Sequence, residues 1–213
     1  MKVALINGSP KGKKSASGWL LDYVTQNFEN EMEVAEINFR NAAPPTEEQL
    51  KQLDEAEAWL FAFPLYVDGV PGHLLSTLIA LEHAALTNPE RRIYGICNCG
   101  FYEGEQNELA LDVLKNWSAK CGYIWGCGFG IGGGGAILSF ADMGKVGMIL
   151  MGKWTKALKG MALMIEECKR WDGGHVCGSI ALPRAIYQHC AHSGWKKKIK
   201  AAGGAVEDLE RRL

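Results

Sequence analysis

The chain has 213 residues, 47% of them hydrophobic and 22% charged, with a net charge of -1. That is enough apolar material for a substantial core. The charge balance offers no basic excess for nucleic acid and no strong acidity for docking on a basic partner. The amino terminus carries one lysine, then a short β-like run and a Gly-Ser-Pro turn, so it does not read as a signal peptide. No run approaches about 18 uninterrupted apolar residues, so no membrane span is expected. The longest candidate, around Gly144 to Leu163, is interrupted by Lys145, Lys153, Lys156 and Lys159.

Seven cysteines are scattered at Cys97, Cys99, Cys121, Cys127, Cys168, Cys177 and Cys190. No C-x-x-C pair occurs. A reducing cytoplasm therefore fits better than a secreted disulfide framework, and no metal site is expected because clustered ligands are missing. Cys97 and Cys99 read as buried thiols on one strand face.

The elements follow from periodicity. Val3 to Ile6 is apolar on both faces and predicts a buried strand. Ser15 to Phe28 predicts a helix, with Trp19, Leu20, Tyr23, Val24 and Phe28 at helical spacing. Glu33 to Ile37 predicts a second strand. After Pro44-Pro45, Thr46 is a predicted N-cap with Gln49 at the capping-box position, opening a helix to about Ala56. Trp59 to Phe63 is the third strand, stopped by Pro64. Pro71 to Leu86 is helical, with Pro71 in the first turn. Arg92 to Asn98 is the fourth strand, Asn107 to Lys120 an amphipathic helix, and Tyr123 to Ile131 the fifth strand, running into Gly132–Gly135. Trp154 to Trp171 has the strongest helical stripe. From Pro183 two short helical patterns are separated at Ser193-Gly194.

Strands alternating with helices predict βαβ units and a parallel sheet with helices on both faces. The expectation is a single α/β domain over 1–213, doubly wound and five-stranded. Its core covers about 1–172 and a C-terminal helical extension about 173–213. In such a sheet ligands bind beyond the carboxyl ends of the strands, so the segments just after each strand carry the functional information.

Three clusters stand there. Gly8-Ser-Pro-Lys-Gly-Lys-Lys-Ser-Ala-Ser17 offers hydroxyls and the free amides of a first helical turn, where the helix dipole favours an anion. It is a phosphate seat or an ordinary surface loop. It matches neither a dinucleotide G-x-G-x-x-G nor a G-K-[ST] phosphate loop. Phe63-Pro-Leu-Tyr-Val-Asp-Gly-Val-Pro-Gly72 is stiffened by proline, with Tyr66 available for stacking. Asn98-Cys-Gly-Phe-Tyr-Glu-Gly-Glu-Gln-Asn107 adds two aromatics and side-chain amides. Together they suit a mononucleotide with a large flat ring.

In this order, N-G-S-P-K-G-K-K-S-A-S, F-P-L-Y-V-D-G-V-P-G-H-L-L and G-F-Y-E-G-E-Q-N resemble the NADPH-dependent FMN reductases of the flavodoxin-like superfamily. The likeness continues through W-G-C-G-F-G-I-G-G-G-G and G-W-K-K-K. The resemblance implies strand order 2-1-3-4-5 and FMN on the carboxyl edge. It implies Ser9, Lys11, Ser15, Ala16 and Ser17 around the phosphate. Pro64, Leu65, Tyr66, Val67 and Asp68 would pass beside the ring and ribityl chain. Asn98, Gly100, Phe101 and Tyr102 would close the other side. Some relatives carry cysteines for an iron–sulfur centre between the second and third strands; Asn38–Pro45 has none.

The function so implied is an NAD(P)H oxidoreductase. Hydride passes from NADPH or NADH to FMN, and onward to a small acceptor: a quinone, flavin, azo or nitro compound, or metal ion. The chemistry belongs to the cofactor, so binding residues are expected and no catalytic side chain. A homodimer is the implied assembly, with no nucleic-acid or membrane partner. A flavodoxin-like electron carrier and a non-catalytic FMN-binding module are the rival readings. The glycine run is open between a lid, an oligomer contact and a drifted loop. His73 either faces the substrate or lies on a helix surface. Lys196 to Lys200 is a solvated helix face or an attraction for the extra phosphate of NADPH.

Overall fold

The computed structural model describes residues 1–210. The chain divides into two compact units, 1–180 and 181–213. The last three residues of the expected extension, 211–213, lie outside the described residues.

The first unit is built on six parallel strands: β1 (Lys2–Asn7), β2 (Glu33–Asn38), β3 (Ala58–Pro64), β4 (Arg92–Asn98), β5 (Ile124–Ile131) and β6 (Val176–Gly178). Their order is β2-β1-β3-β4-β5-β6, and every neighbouring pair runs parallel. The expected order of the first five strands stands, but the sheet is six-stranded rather than five-stranded. The segment after Gly173, expected to be helical, first supplies β6, whose three residues pair with Phe129–Ile131. Three residues hold no readable period; edge pairing to β5 alone makes them a strand.

Helices α1 (Ala16–Thr25), α2 (Glu47–Glu55), α3 (Gly72–Glu82), α4 (Glu108–Lys120), α5 (Ile137–Ala141), α6 (Gly144–Met151) and α7 (Lys153–Glu166) complete the unit. Thr46 caps α2 with both bonds of a capping box: its hydroxyl accepts from Gln49 N–H at 3.2 Å, and Thr46 N–H donates to Gln49 Oε1 at 2.9 Å. Alternate residues of the central strands feed two cores, because strand side chains alternate between faces. Trp59, Phe61 and Phe63 join Leu74, Leu78, Leu111, Leu114 and Trp117 in one buried cluster. On the other face the Tyr94 hydroxyl donates to the carbonyls of Met164 and Lys169, at 3.0 and 2.7 Å, locking the end of α7 to β4.

The second unit consists of α8 (Arg184–Ala201) and a 3-10 turn at Val206–Glu210. The two helical patterns expected to break at Ser193-Gly194 are one helix. A glycine inside a helix costs only about 1 kcal/mol relative to alanine, too little to interrupt eighteen residues. No residue of α8 is buried.

Candidate cofactor cleft at the carboxyl edge of the sheet

The strand order reverses between β1 and β3, whose crossovers leave in opposite directions, and this opens a crevice at their carboxyl ends. A cleft of about 210 Å³ lies there. Its lining residues are Ser9, Lys11, Ser15, Ala16 and Ser17 after β1; Pro64, Leu65 and Tyr66 after β3; Asn98, Cys99 and Gly100 after β4; and Gly134 and Gly135 after β5.

The β1–α1 loop is held by its own polar groups. Ser9 N–H donates to Asn7 Oδ1 at 2.9 Å, and Gly12 N–H to Ser9 O at 2.9 Å. Ser15 is the N-cap of α1: its hydroxyl donates to Gly12 O at 2.6 Å and accepts from Gly18 N–H at 3.0 Å. The helix itself provides no partner for the amides of Ala16 and Ser17, and both residues line the cleft. A Cβ on Gly18 would collide with Lys13 O, so glycine is what lets the loop close against the first turn. Lys13 is drawn away to Glu36 at 2.8 Å, and Lys11 is the loop lysine that lines the cleft. From after β2, Arg40 Nε donates to Pro10 O at 3.3 Å and braces the loop. His73 lies near Gly8 O at 3.0 Å. A carbonyl only accepts, so Nε2 carries the proton and His73 ties α3 to the loop.

The opposite wall is joined to this one by Asn98. Its Nδ2 donates to Ser17 Oγ and to Phe63 O, both at 3.0 Å, and its backbone carbonyl accepts from Leu65 N–H at 2.8 Å. Beyond Leu65 the chain reverses in a tight turn in which Tyr66 and Gly69 exchange both backbone bonds at 3.1 Å. Val67 and Asp68 hold φ of 49° and 55° at its tip. Both are left-handed, the conformation a two-residue hairpin turn requires and one a β-branched residue rarely adopts. Val67 is fully exposed and Tyr66 is 44% exposed.

The glycine run is a packed turn rather than an open flap. Gly132, Gly133 and Gly134 are buried. Their amides donate to Gly178 O, Phe101 O and Cys99 O at 2.9, 2.6 and 2.7 Å. A Cβ on Gly132 would collide with Tyr102 O, and one on Gly134 would stand 2.8 Å from Asn98 Oδ1. Small residues are therefore what allow the β5 loop to approach the β4 loop. Cys99 is largely buried beside Asn107 Nδ2, at 3.4 Å; burial pushes its thiol up, so it stays protonated at neutral pH.

Of the residues expected at the site, Val67, Asp68, Phe101 and Tyr102 do not line this cleft, whereas Ser9, Lys11, Ser15, Ala16, Ser17, Pro64, Leu65, Tyr66, Asn98 and Gly100 do. Val67 and Asp68 form the exposed hairpin tip, and Phe101 is 54% exposed. Cys99, Gly134 and Gly135 were not anticipated. The glycines follow a strand's carboxyl end and so carried the same positional signal as the other loops.

Residues 1–88 match the family model of the NADPH-dependent FMN reductases. The family resemblance read from the loops is met by this match, which runs from β1 through α3 and takes in the first two clusters; the third lies beyond it. A search of curated proteins finds no match. Among solved structures, the chain is similar to an FMN-dependent NADH-azoreductase from Bacillus anthracis in complex with FMN. The TM-score is 0.56 at 16% identity, covering 78% of this chain and 99% of that one. It is also similar to an NAD(P)H:quinone oxidoreductase from Methanothermobacter marburgensis. There the TM-score is 0.54 at 14% identity, covering 82% and 99% of the two chains. At such identities these likenesses establish the flavodoxin-like fold.

The cleft suits an FMN-reductase cofactor on its own terms. No carboxylate side chain lines it, whereas Lys11 and the two first-turn amides do. A Cβ added at Gly100 or Gly135 would meet nothing within 4 Å, so both rims leave open space where a flat ring needs it.

Proposed function

We propose that the protein is an NAD(P)H-dependent FMN oxidoreductase that passes electrons to a small planar acceptor such as a quinone, flavin, azo or nitro compound. The observation that carries this reading is one cleft joining a carboxylate-free anion seat to an open wall, at the switch point of a flavodoxin-like sheet. The family match over residues 1–88 supports it. The azoreductase and quinone-reductase titles of the structural neighbours suggest the acceptor class.

In this reading Ser9, Lys11, Ser15, Ala16 and Ser17 hold the phosphate of FMN. The Ala16 and Ser17 amides donate, and Lys11 and the α1 dipole supply positive charge. Ser15 acts mainly as a cap, since its hydroxyl already has a donor and an acceptor partner. Pro64, Leu65 and Tyr66 border one edge of the ring, and Asn98, Gly100, Gly134 and Gly135 the other. Held there, FMN would supply the redox chemistry, the hydride of the nicotinamide reaching the acceptor as two electrons with a proton passing to the acceptor or to water. Tyr66, half exposed at the rim, offers a face on which a planar acceptor stacks. No side chain is required as acid or base for the hydride step, so substitutions here act through binding and orientation.

The cytoplasm suits the seven cysteines, all of them free. The homodimer implied by the resemblance is read by sedimentation velocity of the same preparation.

The test is the visible spectrum of protein saturated with FMN and desalted, before and after anaerobic NADPH and then NADH. Retained flavin that bleaches supports the reading. Retained flavin that neither nicotinamide bleaches leaves a carrier or binding module, and loss of flavin on desalting removes the cleft assignment.

A further inference from the structure

The segment that follows the glycine turn turns apolar side chains outward. Leu138, Met143, Val146 and Ile149 are 41%, 49%, 56% and 73% exposed. On α6, Val146 and Ile149 stand three residues apart on one face, while Gly147 and Met151 are buried. On α7, Trp154, Leu158, Met161 and Ile165 are buried. Lys156, Lys159 and Leu163, spaced i, i+3 and i+7, are exposed on the opposite side. Between Ile137 and Leu163 the chain carries four lysines and one acid, Asp142, in a protein whose net charge is -1. Exposed apolar residues clustered with a local basic excess mark an interaction surface.

We propose that the outward faces of α6 and α7 dock the protein on the surface of an anionic lipid bilayer. The apolar residues enter the headgroup boundary, and Lys145, Lys156 and Lys159 meet the anionic headgroups. At 8 and 14 residues the helices are about 12 and 21 Å long, too short to span, so they lie on the surface. No helix among the described residues is long and apolar enough to cross a membrane. Charge decides between a bilayer and a second copy of the chain as the occupant. A two-fold contact through this face would bring the same lysines together in both subunits, whereas headgroup phosphates complement them. The face begins at Leu138, three residues past Gly135 of the cleft rim. An acceptor dissolved in the bilayer would thus be presented beside the cleft. That consequence rests on the redox reading, but docking itself does not.

The test is co-sedimentation of the full chain with vesicles of phosphatidylglycerol and phosphatidylcholine, against phosphatidylcholine alone, at low and high salt. The protein should pellet with the anionic vesicles and be released by salt. V146E/I149E should abolish pelleting, and K156Q/K159Q should weaken it by about fivefold per lysine. All four positions are exposed, and far-UV circular dichroism checks that the variants fold; the lysine pair carries the test if the glutamate pair does not. No pelleting, or pelleting indifferent to both variants, overturns the proposal. So does a wild-type dimer that V146E/I149E turns into a monomer without any vesicle binding, since a second copy then covers the face. Vesicle binding is read without flavin, so its failure is distinguishable from failure of the redox assignment.

Discussion

Asn98 Nδ2 donates to Ser17 Oγ at 3.0 Å across 81 residues of sequence. The bond fastens the helix whose first turn lines the cleft to the strand that leads into the opposite wall. The same amide group satisfies Phe63 O, so one buried side chain sets the separation of three loops.

Replacing Asn98 with leucine should therefore cost about 1–3 kcal/mol, because the Phe63 carbonyl loses a buried donor. Flavin retention should fall with it. Urea denaturation of the apoprotein and fluorescence titration with FMN give the two readouts. Unchanged stability would mean the amide does not join the walls.

Gly18→Ala should weaken FMN binding by about tenfold or more, because the added methyl collides with Lys13 O and displaces the first-turn amides. Gly160→Ala in α7 is the contrast. Its Cβ would meet nothing within 4 Å, so it should raise stability by about 0.5–1 kcal/mol with FMN affinity unchanged. Equal effects of the two substitutions on FMN affinity would contradict the close approach at Gly18.

The hairpin tip stores backbone strain that another sequence would relieve. Exchanging Val67-Asp68 for Asn-Gly should stabilise the protein by about 1–2 kcal/mol, read as a higher Tm. The exposed Val67 side chain loses no packing in the exchange. A lower Tm would show that the valine makes up for its conformation elsewhere.

Stability should decline in alkali. Burial pushes the Cys127 thiol up to about 12 and the Cys177 thiol up to about 11, from the ordinary 9.0. Burial also raises the Tyr94 phenol. Groups raised in the folded state contribute fully below their unfolded values. For the two thiols that contribution is lost as pH climbs from about 9 towards 11 and 12. Denaturation midpoints at pH 8, 10 and 11 should fall in that order, and Cys127→Ala should flatten the fall. A midpoint constant across this range would refute the assignment.

Much of this architecture could be read before folding. β1, β3 and β4 are buried on both faces, so their apolar runs announce them, and Thr46 with Gln49 announces the start of α2. β6 could not be read, because its identity as a strand lies in Phe129–Ile131 rather than in its own three residues. The cleft was legible as far as the rule about carboxyl ends reaches, which covers most of its lining. The side chains of Val67 and Asp68 carry no signal of the left-handed turn they form; Asn-Gly would carry one. Gly132 stood in plain view as part of a glycine run, yet its purpose depends on Tyr102 O, thirty residues away and silent in the sequence.

Asn98, Gly100 and Gly134 all lie after residue 88, where the family match ends. The stretch that matches the family model therefore lines only part of the cleft. During synthesis the β1–α1 loop emerges before β4 and β5, whose following loops carry the opposite wall of the cleft. In the proposed reading, flavin capture awaits β4 and β5. On that reading a chain ended at residue 88 lacks Asn98, Gly100 and Gly134 of the cleft and retains no flavin.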